Sequence, residues 1–413
     1  MMGNKQSQSA DERAAVAARY PPLRRLLAQC AADDPTGPGR KHAGRKHAGR
    51  NARRVRDKIA PKLARALAAC EAAGARILAP HTGDARRGRH VRFVCVSDTH
   101  GHHRRVALPD GDVLVHCGDV VGNYGDDCDL AGQWRDFVRW LHDQSARYAR
   151  IVFIAGNHDT LLDFERYDTP ASRAAAATLA AAPAAAQQAG GNADGVLRLP
   201  PNVVYLCNSG TSYRGLRLWG CPATPSREEC YNKRYYSDAF ETYAADRRKL
   251  YAAVPEGVDV LLTHAPAAGT GLSQLCVGDD LLAKRLRAMA APPRFHVCGH
   301  DHDYLGFALG GKKKGKHNAA KKAPAKQKAR PWVKGADGEW IAAGAPSSPP
   351  PVASGMIVGG AATPPPAAVT DAADDSSSSP TTVHVNAAQL TVVRAYPSGG
   401  GCALVFDVPV PAE

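Results

Sequence analysis

The chain has 413 residues, a formal net charge of +14 and only 6% aromatic residues. Length alone allows two or three domains, but much of the 44% hydrophobic content is alanine in biased runs, so one well-packed core with considerable chain outside it is expected. No apolar run approaches the roughly 18 residues of a membrane span, and no hydrophobic signal sequence opens the chain. The eleven scattered cysteines form no CxxC pair, which fits buried thiols in a reducing, cytoplasmic compartment rather than a secreted disulfide framework.

Met2-Gly3-Asn4-Lys5-Gln6-Ser7 fits the N-myristoylation pattern M-G-x-x-x-[ST], which is live only if translation begins at Met2. Such a single acyl chain binds membrane only marginally. Residues 1–54 read as a basic disordered tail, with Gly-Arg-Lys-His-Ala repeated from Gly39 and from Gly44. Residues 55–90 read as a helical N-terminal extension: Val55, Ile59, Leu63, Leu67 and Cys70 recur at helical spacing and predict an amphipathic helix over 55–76.

From Val91 the texture changes to short β-branched runs. Strands are expected at Val91–Val96, Asp112–His116, Ile151–Ile154, Val203–Leu206, Leu216–Trp219, Val258–Leu262 and Arg294–Val297. Leu130, Trp134, Phe137, Val138 and Leu141 mark a helix between the second and third, and so a βαβ crossover and an α/β class. The alanine-rich stretch Ala174–Ala189 reads as a surface insertion. Residues 311–380 read as a low-complexity insertion: Lys312–Arg330 carries no acidic residue, and Pro, Ala and Ser then dominate. Because this run follows closely on Gly299-His300-Asp301-His302, its root is expected near the mouth of any site there. Strands return at Thr382–Asn386 and Ala403–Val408, so the folded domain is expected to comprise 91–310 and 381–413.

Five clusters carry the chemistry: Asp98-Thr99-His100, Gly118-Asp119, Gly156-Asn157-His158-Asp159, His264, and Gly299-His300-Asp301-His302. Each follows a predicted strand, and strand carboxyl ends are where sites in α/β folds assemble. Asp98 and His100 lie two apart, as do His300 and His302, so each pair can reach one ion. Carboxylate, imidazole and amide oxygen suit Mn, Fe or Zn, with Mn favoured. A carboxylate such as Asp119 can bridge two cations about 4 Å apart, which together generate a bridging hydroxide near neutral pH and neutralise charge on a phosphoryl group. His158 is placed to assist a leaving oxygen, and Asp159 to orient neighbouring groups by hydrogen bonding.

The ordered series DTH, GD, GNHD, THAP and GHDH resembles the calcineurin-like metallophosphoesterase superfamily. The stretches Val94–His100, Gly111–Asp119, Trp219–Pro225 and Leu404–Pro409 narrow the resemblance to metallophosphoesterase-domain-containing proteins, over roughly 91–310 plus 382–409. The resemblance implies two packed mixed β-sheets flanked by helices, an αββα sandwich. It implies Asp98, His100, Asp119 and His302 on a first divalent metal ion and Asp119, Asn157, His264 and His300 on a second, with His158 as the acid or transition-state residue. The arginine-bearing GDxxDRG extension of protein phosphatases is absent, since Val120-Val121-Gly122-Asn123 follows Asp119. The expected activity is therefore hydrolysis of phosphate esters, above all small nucleotide-like diesters.

Other polar residues receive blander readings. His102 and His103 are placed on a loop or substrate rim, His116 and His296 in the core, and Cys95, Cys117 and Cys298 as buried packing. Asn232, Arg234 and Tyr235 are candidates for a substrate loop. The competing reading is a binding or scaffold protein that uses the fold and its basic tracts to hold nucleic acid or a signalling partner through phosphate contacts.

Overall fold

All nine β-branched runs form strands in the computed structural model, which describes residues 18, 20–32, 52–72, 90–122, 128–181, 197–226, 239–273, 278–310, 332–334, 340–342, 382–389 and 401–410. They build two sheets. The first contains β1 (His90–Val96), β2 (Val113–Cys117), β3 (Arg150–Ile154) and β4 (Val203–Tyr205). The second contains β5 (Ser209–Tyr213), β6 (Leu216–Cys221), β7 (Val260–Thr263), β8 (Phe295–Cys298), β9 (Gly306–Leu309) and β10 (Val383–Asn386), and β11 (Leu404–Pro409) returns to the first. Strand order is β11-β1-β2-β3-β4 in one sheet and β9-β10-β8-β7-β6-β5 in the other. The inner strands are parallel, while β11, β9 and β5 run antiparallel at the edges.

The two-residue strand period explains the layering. Phe93, Cys95, Val113, Val115, Val152 and Ile154 face Leu216, Leu218, Val260, Leu262 and Val297 in one buried layer between the sheets. The alternate residues Val94, Val96, Leu114, Ile151 and Phe153 face outward onto Trp134, Phe137 and Leu141 of α3 (Leu130–Ser145). Leu261 does the same on the second sheet, beneath α5 (Ala244–Ala252) and α6 (Asp280–Ala288). A strand that is apolar on both faces needs cover on both, and the result is the αββα sandwich. Among the described residues no helix is long and apolar enough to cross a membrane.

The tail reading of 1–54 is corrected in part. Pro21–Ala32 is a helix, α1, whose Leu23, Leu26 and Cys30 are buried at helical spacing while Arg24 and Arg25 are exposed. The neighbouring Tyr20 hydroxyl accepts from Val405 N at 2.7 Å and donates to Val405 O at 3.2 Å. Val405 lies on the edge strand β11, so this phenol satisfies backbone groups that would otherwise stay unpaired. The extension helix runs from Ala52 through one π turn (Val55–Ile59) into α2 (Ala60–Ala72), with Val55, Ile59, Leu63 and Leu67 in the core. Residues 73–76 lie outside the described residues, as does the candidate acylation motif.

Two further expectations change. The alanine-rich stretch is not all surface insertion: Pro170–Ala180 forms α4, capped by Thr169, with Ala175 and Leu179 buried in the layer under α3. The root of the long insertion lies away from the strand ends that carry the motifs. Gly310 N donates to Thr382 O at 2.8 Å, and Val383 pairs with Phe295, at the start of β8. The motif histidines follow the other end of β8, about 10–13 Å along a four-residue strand. Residues 311–360 form a unit of their own, in which Trp332–Lys334 and Trp340–Ala342 pair antiparallel.

Candidate metal centre

The carboxyl ends of β1, β2 and β3 deliver Asp98, Asp119 and Asn157, and those of β7 and β8 deliver His264 and His300. The backbone turns sharply there. Of the seven non-glycine residues with positive φ among the described residues, four are Asp98, His100, Asp119 and His300, at φ 53°, 45°, 55° and 66°. Such conformations cost of order 1–3 kcal/mol each and persist where the surroundings enforce them, commonly at functional sites. The motif glycines make room. A Cβ at Gly299 would collide with Ser97 Oγ and the Asp98 carboxylate, and one at Gly156 would lie 2.5 Å from Asp119 N.

The polar atoms converge in two groups around Asp119. On one side Asp98, His100, Asp119 and His302 each offer an atom within 4.8 Å of all the others. His302 Nε2 is 3.1 Å from Asp98 Oδ1 and 3.3 Å from His100 Nε2, which lies 3.5 Å from Asp119 Oδ2. On the other side Asn157 Oδ1 is 2.9 Å from His264 Nε2 and 2.8 Å from His300 Nδ1, and His264 Nε2 is 3.4 Å from the same Asp119 Oδ2. A cation bound at about 2.1 Å sets neighbouring ligand atoms about 3.0–3.4 Å apart, so these spacings fit divalent metal ions.

Electrostatics agree with that fit. Burial would raise the Asp119 carboxyl, but His264, His158 and His100 hold it well below its usual range. Burial would likewise raise Asp98, but the hydrogen bond from His302 and the charges of His264 and His302 together lower it. Burial keeps His100 neutral and lowers His300 to about 3, leaving imidazole lone pairs of the kind metals require. His264 opposes its own burial through the charge of Asp119 and is raised to about 10. A proton there balances anionic charge that a divalent ion would balance instead.

A surrounding shell fixes these groups. His264 Nδ1 donates to Cys117 O at 2.8 Å, turning Nε2 toward Asn157. Asp98 accepts from His300 N at 2.9 Å, and Asp119 from His158 N at 2.8 Å. Asp159 accepts from Val120 N, Val121 N and Gly156 N at 3.2, 3.0 and 2.8 Å, tying the loop after β2 to the loop after β3. The His158 ring stands 4.8 Å from that of His100.

The remaining candidates divide. His116 bonds Thr99 Oγ1 at 2.9 Å and His296 bonds Thr263 Oγ1 at 2.8 Å, both fully buried, while burial pushes the thiols of Cys95, Cys117 and Cys298 up. His103 is a correction: rather than forming a rim, it is fully buried, 3.0 Å from Asp136 and packed on Phe137 and Trp140. Asn232, Arg234 and Tyr235 lie outside the described residues. Sequence reasoning missed Asn386. This buried amide donates to Asp301 O at 3.1 Å and Leu272 O at 3.0 Å and accepts from Ala388 N at 3.0 Å, supporting the His300–His302 loop from below. Its only signal was an asparagine closing the strand Val383-His384-Val385.

The sequence profile described as Calcineurin-like phosphoesterase matches residues 91–304, just over half the chain, with all the motif residues inside it. The chain belongs to the calcineurin-like phosphoesterase family. It is 30% identical over 237 residues to Metallophosphoesterase domain-containing protein 1 of Homo sapiens and of Mus musculus, covering 56% of this chain and 66% of each relative. A UPF0046 protein of Caenorhabditis elegans is 31% identical over 228 residues, 54% of this chain and 67% of that relative. The match to the mammalian relatives thus spans just under two thirds of their length, and in this calcineurin-like phosphoesterase α1 and the helix Ala52–Ala72 precede the family's matched region.

Proposed function

We propose that the chain is a metal-dependent phosphoesterase whose preferred substrates are small nucleotide-like phosphodiesters. The observation that carries this reading is the convergence of six donor residues from both sheets around Asp119, at spacings suited to two cations. Asp98, His100, Asp119 and His302 would hold one ion, and Asp119, Asn157, His264 and His300 the other, with Mn favoured for the oxygen and imidazole set. When bound, the ions supply Lewis acidity and lower the pKa of attacking water.

The chain's own residues do the rest. Asp119 sets the separation of the two halves, and its carboxylate is aimed by the amide of His158. Asp98 is aimed by the amide of His300 and by His302 Nε2. The His158 imidazole, beside His100, donates a hydrogen bond to the leaving oxygen as the P–O bond breaks. The strained turns at Asp98, His100 and Asp119 are buried, so these groups meet the transition state already oriented.

The test is turnover of bis-p-nitrophenyl phosphate and p-nitrophenyl phosphate with added Mn, by the wild type and by Asp119→Asn. The diester should turn over faster than the monoester. Asp119→Asn should lower both rates about a thousandfold, since a preorganised electrostatic group is worth roughly 10²–10³, with circular dichroism unchanged. Equal turnover by the two proteins would overturn the reading.

A further inference from the structure

The metal centre has an open side. The side chain of His302 is 27% exposed, whereas those of His100, Asp119, Asp98 and His264 are at most 1% exposed. The residues after His302 therefore stand at the mouth, and both are held by the N-terminal helix. Arg54 forms an ion pair with Asp303, and Lys62 Nζ lies 4.2 Å over the Tyr304 ring. Two contacts eight residues apart show that one face of this helix runs beside the mouth.

That face is cationic. Arg54, Lys58, Lys62 and Arg65 recur at intervals of four, four and three residues, and all are exposed. At about 1.5 Å of rise per residue the row is about 16 Å long. The one acidic residue between Arg53 and Arg65, Asp57, is paired with Arg56 at 2.8 Å. Opposite faces of the same helix bury Val55, Ile59, Leu63 and Leu67, so the row's position is fixed by the core. It also lies outside residues 91–304, the region that the family profile matches.

We propose that this row binds phosphate groups of the substrate beyond the scissile one, so that the substrate is a phosphate ester on an oligoanionic chain carrying several phosphates in series. This rests on, and narrows, the phosphoesterase reading. A single phosphate fills only the metal centre. A chain leaving the mouth along the helix meets successive cations, each of which displaces condensed counterions. Lysines suit this, being point charges on flexible stems that accept varied phosphate positions.

The experiment is fluorescence anisotropy of a labelled, hydrolysis-resistant phosphorothioate decathymidylate on the full-length, Mn-loaded protein, titrated at several salt concentrations. We expect the triple variant K58Q/K62Q/R65Q to bind about tenfold more weakly and to lose about 2 from the slope of log K against log salt, from roughly 0.7 per lost contact. The charge-preserving K58R/K62R variant should bind as the wild type does, which separates lost charge from lost folding. Unchanged binding in the triple variant overturns the proposal. So does binding that is intact in the triple variant and abolished by deleting 312–330, which would place the anion on the lysine run. Inorganic tripolyphosphate and unlabelled trithymidylate then compete for the probe. Displacement by either supports the proposal and its relative strength separates a nucleoside polyphosphate from a nucleic acid strand, while displacement by neither overturns it. Wild-type turnover of bis-p-nitrophenyl phosphate is read in parallel. Its absence would defeat the hydrolytic reading, whereas its presence with unchanged binding would defeat this one alone.

Discussion

Asp119, at the end of a strand in the first sheet, places its Oδ2 atom 3.4 Å from Nε2 of His264, at the end of a strand in the second. The same oxygen lies 3.5 Å from His100 Nε2. One carboxylate therefore faces both halves of the donor set, and the packing of the two sheets is what brings the halves together. Disturbing the loops around that carboxylate should affect metal binding and turnover before it affects the fold.

Asp159 offers the first such disturbance. Its carboxylate holds three backbone amides of the loops bearing Asp119 and Asn157. Asp159→Asn removes one acceptor oxygen and turns an N–H₂ group toward an N–H. Changes to groups that orient metal ligands typically cost 10–100-fold in affinity or activity. The expected outcome is a drop of about that size in Mn affinity, measured by isothermal titration, with far-ultraviolet circular dichroism unchanged.

Asn386 supports the opposite wall. Replacing it with leucine strands the carbonyls of Asp301 and Leu272 and the amide of Ala388 without partners in a buried setting. Each unmet group costs about 1–3 kcal/mol, so urea unfolding should show a loss of about 3 kcal/mol or more. Turnover per folded molecule should also fall, because the His300–His302 loop loses its support. A variant that unfolds earlier but turns over normally would show Asn386 to be structural alone.

The N-terminal helix pair is expected to be part of the fold rather than an appendage. Tyr20→Phe keeps the ring contact with Phe307, at 6.0 Å between centroids, and removes both hydrogen bonds to the Val405 backbone. The predicted cost is about 1–3 kcal/mol in urea unfolding. An unchanged midpoint would mean that α1 contributes little to stability.

Much of this was legible beforehand for a physical reason. The β-branched runs are buried on both faces, so they stand out from the surrounding chain, and the motif residues lie just beyond them. Ser209–Tyr213 was missed because it is an edge strand of small and polar residues that alternate between half-buried and exposed. The α1 helix was hidden by its arginines: Leu23, Leu26, Leu27 and Cys30 carry a helical stripe inside a segment whose net charge suggested a tail. The burial of His103 depends on the tertiary packing of Phe137 and Trp140, which no local pattern reveals. The misplaced root of the long insertion depends on strand direction: β9 runs away from the site and β10 runs back toward it, so closeness in sequence to His302 became distance in space.

The most direct test of the central claim is the number of metal ions held by the purified chain, counted by inductively coupled plasma mass spectrometry after equilibration with Mn and removal of free ion. The arrangement around Asp119 predicts two per chain in the wild type, falling to one or none in Asp119→Asn. A count of one or none in the wild type, or of two in both proteins, would contradict it.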